Sequence, residues 1–340
     1  MVRLIEKYMN KLGKIIDIKD RKILYHLDQN ARMSATQIAK KAGLSKDSVN
    51  YRIKRLIERG IIFKFMTLLD TAKLGLTTFK VFYRFQNTTL KKEQEIIDYL
   101  TSSPHTQLVT VAEGMFDLNL NIVAPNAEEL YSILGTIHSA YGNYLAEREV
   151  TILAKSHFFS REYLLHKKNS EIKRPMFFGS KPAAADIDSA NKKILSLLAV
   201  DARISAIQIS KKTGLSNVST ISRMRKLEQA GIIQNYVIFL NHEKAGYSWY
   251  YLLLKLKGLT PGDDKHFFHF CTSHPNIWFH TTMIGKWDCL IGIDVEQDGE
   301  FKEILTTIKR DFSSILKEYT ILKLGETHKF NQYPMGKEIA

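Results

Sequence analysis

Residues 31–62 read ARMSATQIAKKAGLSKDSVNYRIKRLIERGII, and residues 202–233 read ARISAIQISKKTGLSNVSTISRMRKLEQAGII. Seventeen of these 32 positions are identical without a gap, at a constant offset of 171 residues. The same offset carries Gly75 onto Gly246, Pro104 onto Pro275, Gly114 onto Gly285, Asp117 onto Asp288 and His157 onto His328. The duplication therefore runs over residues 17–159 and 188–330, a two-unit repeat rather than a short-period array.

Within the first copy, Ile23, Leu24 and Leu27 make one helical face over residues 18–27. Ser34 is placed to cap a second helix over residues 35–41, with Ile38 and Ala39 turned inward. Ala42-Gly43-Leu44 reads as a three-residue turn, with Gly43 supplying a positive φ. Ser45 caps a third helix, residues 46–58, on which Val49, Ile53 and Leu56 form an i, i+4, i+7 stripe. Gly60 ends it, and Ile61-Ile62-Phe63 starts a β wing. This is a helix-turn-helix whose third helix keeps its polar side free.

That side carries the chemistry. At 100° per residue, Asp47, Tyr51, Lys54, Arg55 and Glu58 point away from the apolar stripe, and Lys46, Ser48 and Arg52 flank it. Cations along such a helix neutralise phosphates and fix register, while short polar groups at its start reach base edges in a major groove. The candidate DNA contacts are Lys46, Ser48, Asn50, Tyr51, Arg52, Lys54 and Arg55. On the matching helix 217–229 they are Asn217, Ser219, Ser222, Arg223, Arg225 and Lys226. There Thr220 replaces Val49, Ile221 replaces Asn50, and cations are fewer. The second helix therefore either reads a different sequence or contributes mainly phosphate contacts.

Charge is distributed accordingly. The chain has 49 Lys plus Arg against 35 Asp plus Glu, a net +14. Residues 17–65 hold 12 basic and 5 acidic side chains, residues 188–236 hold 8 and 3, and the other 242 residues are close to neutral. Basic charge gathered on two small modules is the footprint of a polyanion partner. Double-stranded DNA is the expected partner, not a membrane, since no apolar run approaches the roughly 18 residues a spanning helix needs. Cys271 and Cys289 lie in one half without counterparts, which favours reduced thiols and a cytoplasmic protein. Residues 160–186 carry Lys167, Lys168, Lys173, Arg174 and Lys181 with Pro175, Gly179 and Pro182. They read as a solvated linker with a short helix at its start, and their cations are within the range of phosphate contacts.

After each helix-turn-helix comes a strand (79–86), a helix (91–100), two strands (107–112 and 118–123), an amphipathic helix (127–137) and a last strand (145–153). The second copy repeats this over 250–257, 266–271, 277–283, 290–294, 301–312 and 316–324. The order βαββαβ is ferredoxin-like. Its helices cover one sheet face, so the other face needs a partner, from the other copy or from another chain. The fold class expected is α+β: two winged helix-turn-helix domains (17–68 and 187–239) alternating with two ferredoxin-like domains (74–159 and 245–330), after an N-terminal extension of residues 1–16.

The segment NARMSATQIAKKAGLSKDSVNYRIKRLIERGII, the later EGMFD turn, and their copies including IGKWD resemble the leucine-responsive regulator/AsnC (Lrp/AsnC) family of transcription factors. The resemblance covers nearly the whole chain, twice. It implies a DNA-binding domain joined to one that oligomerises, as a homodimer or higher homo-oligomer, and that often binds a small amino-acid-like effector. It also implies that the Gly-x-x-Asp turns lie near the effector site, which here means Gly114, Asp117, Gly285 and Asp288. The alternative for these four is that the glycines form the turns and the aspartates cap them. The tandem arrangement departs from the one-unit family pattern.

Two other readings stay open. Proteins of similar fold decarboxylate siroheme-type tetrapyrroles, which would call for a pocket lined by histidine and arginine. His105, His138, His266, His269, His274 and His280 form no cluster repeated in both units, and His157 and His328 read as solvated or capping residues after the last strands. No P-loop, serine elbow or Cys-His pairing is present. The reading carries no catalytic residue, no metal and no cofactor. The third reading is a sensor or scaffold that has lost DNA binding, which would have no reason to keep a cationic helix face.

Overall fold

The structure, a computed structural model, describes residues 16–166, 176–179, 187–257 and 261–333. Unit one opens with helices α1 (Ile18–Gln29), α2 (Ala35–Ala42) and α3 (Lys46–Glu58), followed by strand β1 (Ile62–Leu69). Its α/β part comprises β2 (Thr77–Phe85), α4 (Leu90–Ser102), β3 (Thr106–Gly114), β4 (Leu118–Ala124), α5 (Ala127–Tyr141) and β5 (Leu145–Phe158). A short strand, β6 (Met176–Phe178), follows. Unit two repeats the order with α6 (Ser189–Val200), α7 (Ala206–Thr213), α8 (Asn217–Gln229), β7 (Ile233–Leu240), a one-turn α9 (His242–Ala245) and β8 (Ser248–Leu256). It ends with α10 (Pro261–Ser273), β9 (Ile277–Ile284), β10 (Cys289–Val295), α11 (Asp298–Asp311) and β11 (Leu316–Phe330).

The helix ends follow the sequence signals. Ser34 and Ser205 form capping boxes with Gln37 and Gln208, and Ser45 and Ser216 accept the amides of Ser48 and Ser219. Each such cap contributes about 1 kcal/mol. Gly43 and Gly214 end α2 and α7 in the left-handed region, at φ 68° and 74°.

The strand that starts each wing runs on across the molecule. β1 pairs antiparallel with β7 as a two-stranded ribbon between the units, with Phe65 opposite Ile238 and Met66 opposite Val237. The helical modules clasp each other reciprocally over it. The Ala31 amide donates to the Tyr236 carbonyl, and its counterpart Ala202 donates to the Phe65 carbonyl. Arg32 Nη1 donates to the carbonyls of Ala202 and Ile204, and Arg203 Nη1 to that of Ala31. All but the Arg32–Ile204 contact recur in the other direction, the mark of a self-complementary, two-fold interface, here built within one chain.

The α/β halves pair by the same logic. Each has ferredoxin-like strand order, β5-β2-β4-β3 and β11-β8-β10-β9. The last strand of each unit also reaches across: β11 pairs with β3, and β5 pairs with β9. Eight strands thereby close into a ring, with β6 added outside the ring on β5. The unpartnered sheet face expected from sequence is thus covered within the chain. Alternation along the strands sorts the side chains. Phe79, Val81 and Tyr83 of β2 face α4 and α5, whereas Lys80 and Phe82 face the interior. In β8, Tyr250, Leu252 and Leu254 face the helices, and Trp249, Tyr251 and Leu253 face in.

The linker reading needs correction where the residues are described. Arg161, Glu162, Tyr163 and Leu164 are buried rather than solvated, the last three within a 3-10 turn, Glu162–Leu165. Tyr25 on α1 donates to Glu162 Oε1 at 2.9 Å. The Arg161 guanidinium pairs with Asp28 of α1 and lies 3.9 Å from Asp294 of β10. Tyr163 donates to Asp294, and His242 Nδ1 lies 3.0 Å from the other Asp294 oxygen. The segment is a bolt joining unit one's first helix to unit two's sheet. Lys167, Lys168, Lys173, Arg174 and Lys181, with Pro175 and Pro182, lie outside the described residues.

Candidate nucleic-acid interface

The third helix of each module is packed by its stripe and open on the other side. Val49 and Leu56 are fully buried and Ile53 nearly so; in unit two, Thr220, Met224 and Leu227 take their places. Thr220 fits there because its hydroxyl donates to the Ser216 carbonyl, which satisfies it without a partner from the core. On the outer side of α3, Lys46, Asn50, Tyr51 and Lys54 are exposed, Tyr51 to 66%, and Ser48 is half-buried. Lys54 lies 3.7 Å from Glu58 as an exposed i, i+4 pair, which leaves it available to another anion. On α8, Asn217, Ser222, Arg225 and Lys226 are exposed, and Ser219 is half-buried.

Three of the arginine and lysine positions singled out by sequence split in role. Arg52 Nη1 binds both Asp17 and Asp20, at 2.7 Å each, and Arg55 Nη2 binds Asp20 at 2.8 Å. Asp17 caps α1 and forms a capping box with Asp20, so Arg52 ties the start of α1 to the middle of α3. Partial burial works to raise the Asp17 carboxyl, but the Asp20 amide and the Arg52 guanidinium outweigh it and hold its pKa below the usual carboxylate range. Arg223 repeats the strut with Asp188, at 2.6 Å, and Asn191. Arg52, Arg55 and Arg223 are therefore engaged inside their own modules. The cations that remain outward are Lys46 and Lys54 on α3, and Arg225 and Lys226 on α8.

Sequence reasoning passed over other outward groups. Lys40 and Lys41 end α2, and their counterparts Lys211 and Lys212 end α7; all four are exposed. In this motif the helix before the recognition helix crosses the backbone, where lysines meet phosphate. Val218, in the place of Asp47, is 78% exposed. An apolar residue at a position turned away from the stripe was the readable signal, and a thymine methyl is a suitable partner.

The Gly-x-x-Asp turns are part of the seam between units. A side chain at Gly114 would come 2.8 Å from the Ile321 carbonyl of β11, and one at Gly285 would come 2.5 Å from Thr151 on β5. Asp117 accepts the Phe85 amide at 2.7 Å, and Asp288 accepts the Leu256 amide at 2.8 Å and pairs with Lys255 at 2.9 Å. Between them, Phe116 and Trp287 are buried, Phe116 stacked on Phe82. The glycines permit close approach of the other unit's last strand, and the aspartates tie their turns to the ends of β2 and β8.

The histidines do not converge. His157 and His328 lie within β5 and β11 rather than after them. His157 stands opposite His280 across the β5–β9 pairing, with ring centroids 6.0 Å apart. Burial drives His280 down to about 3 and lowers His157. Among the described residues no group of three or more His, Cys, Asp or Glu could hold a metal ion. Cys271 and Cys289 are buried and unpaired with each other. No described helix is long and apolar enough to cross a membrane.

Comparison with known proteins adds to this geometry. The winged helix-turn-helix DNA-binding family matches at residues 16–62 and again at 187–234. An HTH-type transcriptional regulator of Pyrococcus horikoshii is 36% identical over 124 residues, which cover 83% of that protein and 36% of this chain. The proline dehydrogenase transcriptional activator of Rhodobacter capsulatus is 33% identical over 128 residues, 82% of its length and 37% of this chain. These relatives correspond in extent to one unit. The siroheme decarboxylase NirDL superposes over both units, with a TM-score of 0.58 across 94% of this chain and 97% of its own, at 12% identity. That likeness is one of fold.

Proposed function

The chain belongs to the Lrp/AsnC family of DNA-binding transcriptional regulators, and from that premise we propose that α3 and α8 are its recognition helices, placed in successive major grooves about one helical turn apart. The observation that carries this is the outward face of α3 and α8, free of intramolecular cover, on two modules clasped by a two-fold ribbon. Lys46, Ser48, Asn50, Tyr51 and Lys54 meet one half-site, and Asn217, Ser219, Ser222, Arg225 and Lys226 meet the other. Arg52, Arg55 and Arg223 act indirectly, by holding the helices that present these groups. Because the faces differ, the operator is a pair of unequal half-sites. The lysines ending α2 and α7 supply phosphate contacts that fix register.

Assembly beyond one chain and an amino-acid-like effector belong to the same proposal, with Gly114, Asp117, Gly285 and Asp288 as the effector positions the family resemblance suggests. Effector binding there would act on the seam between units and so bias the spacing of α3 and α8. The decarboxylase reading draws on shared tandem architecture; the cavity between the sheets presents Lys80, with neither histidine nor arginine among its described lining residues.

Selection of bound duplexes from a random pool at two salt concentrations tests the proposal. The expected result is enrichment of two dissimilar half-sites at a fixed separation, with affinity falling steeply with salt. Retention of no duplex at low salt would overturn it.

A further inference from the structure

Where the eight-stranded ring meets the β1–β7 ribbon, it encloses a cavity of about 260 Å³. Leu69 of β1 and Phe239 of β7 belong to its wall, so the ribbon that carries both helical modules forms part of it. Its two sides differ in chemistry. Unit one contributes Lys80, Gln107, Asn121 and Thr78; the positions related to them by the duplication are Tyr251, Trp278, Gly292 and Trp249. One wall is polar and cationic, the other aromatic, a division that two identical chains related by symmetry could not make.

The cationic wall lacks an anion. Lys80 is 2% exposed, its Nζ donates to Asn121 Oδ1 at 3.0 Å, and it lies 4.7 Å from the centre of the Tyr251 ring. No Asp or Glu appears among the described residues lining the cavity. Desolvation, with no opposing charge, pulls the Lys80 amine down to about 7. The opposite side is aromatic: Trp249, Trp278 and Phe279 are all buried and belong to the lining. A buried amine without a counter-ion is costly unless a group of opposite charge meets it.

We propose that this cavity is a binding site for a small aromatic carboxylate, with its anionic end on Lys80 and Asn121 and its ring against the tryptophan and phenylalanine wall of unit two. The carboxylate supplies the missing counter-ion, the flat ring matches Trp249, Trp278 and Phe279, and the volume limits the ligand to one or two rings. This site is separate from the Gly-x-x-Asp turns. Through Leu69 and Phe239 its occupancy bears on the ribbon; that part rests on the regulator reading, whereas binding itself does not.

The test uses the full chain without DNA. Benzoate, indole-3-acetate and 2-naphthoate are titrated by equilibrium dialysis and by tryptophan emission. At least one binds saturably with one site per chain. Lys80→Met, which removes the amine but keeps an apolar stem, weakens it by at least about tenfold while thermal unfolding remains cooperative. The uncharged 2-naphthamide binds wild type and Lys80→Met alike, and Lys302→Ala, on the outer surface, changes nothing. The proposal is overturned if none of the three carboxylates binds saturably, if Lys80→Met binds as wild type does, or if Lys302→Ala weakens binding as much as Lys80→Met.

Discussion

The two units share a fold through their duplication and part company in three places: the outward faces of α3 and α8, the buried bolt around Arg161, and the interior of the ring. At the bolt, unit one has Asp28 and Arg161 where unit two has Ala199 and Gln332. In the ring, Lys80 faces Tyr251 across the pseudo-two-fold. What both units keep are the caps, the Arg52/Arg223 struts, the reciprocal Arg32/Arg203 clasp and the Gly-x-x-Asp turns. The shared features hold the frame, and the divergent ones face a partner or sit where a symmetric pair would be forced to duplicate a charge. Duplication within one chain is what lets a two-fold frame carry a one-sided site.

The largest effect that sharpens this comparison is expected at the bolt. Arg161→Ala leaves Asp28 and Asp294 buried without their cation and should cost about 3–5 kcal/mol, read as a lowered denaturant midpoint. Gln332→Ala, 171 residues further along, should cost less, about 1 kcal/mol; equal losses would break the asymmetry. Next is Lys80→Met, which should stabilise the empty protein. The Lys80 amine is depressed from 10.5 to about 7, so between those values the unfolded chain binds more protons and stability rises with pH. The penalty is complete below about pH 7 and gone above about 10.5, so the gain from Lys80→Met is on the order of a few kcal/mol at pH 6 and fades by pH 10. A pH-independent gain would remove the buried-charge account.

Smaller is the strut. Arg52→Ala should destabilise by about 1–2 kcal/mol, since it removes two hydrogen-bonded pairs at a side chain that is 16% exposed. Arg223→Ala should cost less, because Arg223 is 30% exposed and has one carboxylate partner. Smallest in free energy is the DNA face. Lys46→Ala with Lys54→Ala should weaken duplex binding severalfold and reduce the salt slope by about 2, whereas Asn217→Ala should leave the slope unchanged. A slope unmoved by the lysine changes would place the interface elsewhere.

Much of this was legible. The offset of 171 residues located both modules, Ser45 and Gly60 bounded α3, and the stripe of Val49, Ile53 and Leu56 gave its buried face. The pattern βαββαβ gave the order of the α/β halves. What stayed hidden depends on contacts distant in sequence. Arg52 reads as a flanking residue and Arg55 as an outward one, but only folding brings Asp17 and Asp20, some 32 to 35 residues earlier, within reach of them. The start of each wing could be read from Ile61-Ile62-Phe63, but its pairing partner lies in the other unit. Residues 161–165 look like linker because Arg161 and Glu162 are charged, and their burial follows from Asp28 and Tyr25 on α1. Lys80 had a visible signal: in FKVFYRF the alternation sets it on the face opposite Phe79, Val81 and Tyr83. That face became the interior once the ring closed.

The β3–β11 and β5–β9 seams also govern how such a protein answers to its own abundance. Partners that meet as separate molecules drift apart on dilution, and the active species then falls with the square of concentration. Tethered halves meet at a fixed effective concentration set by the chain itself. Occupancy of an operator by one such molecule therefore rises in direct proportion to copy number, and the pairing of the two reading heads survives when only a few copies are present.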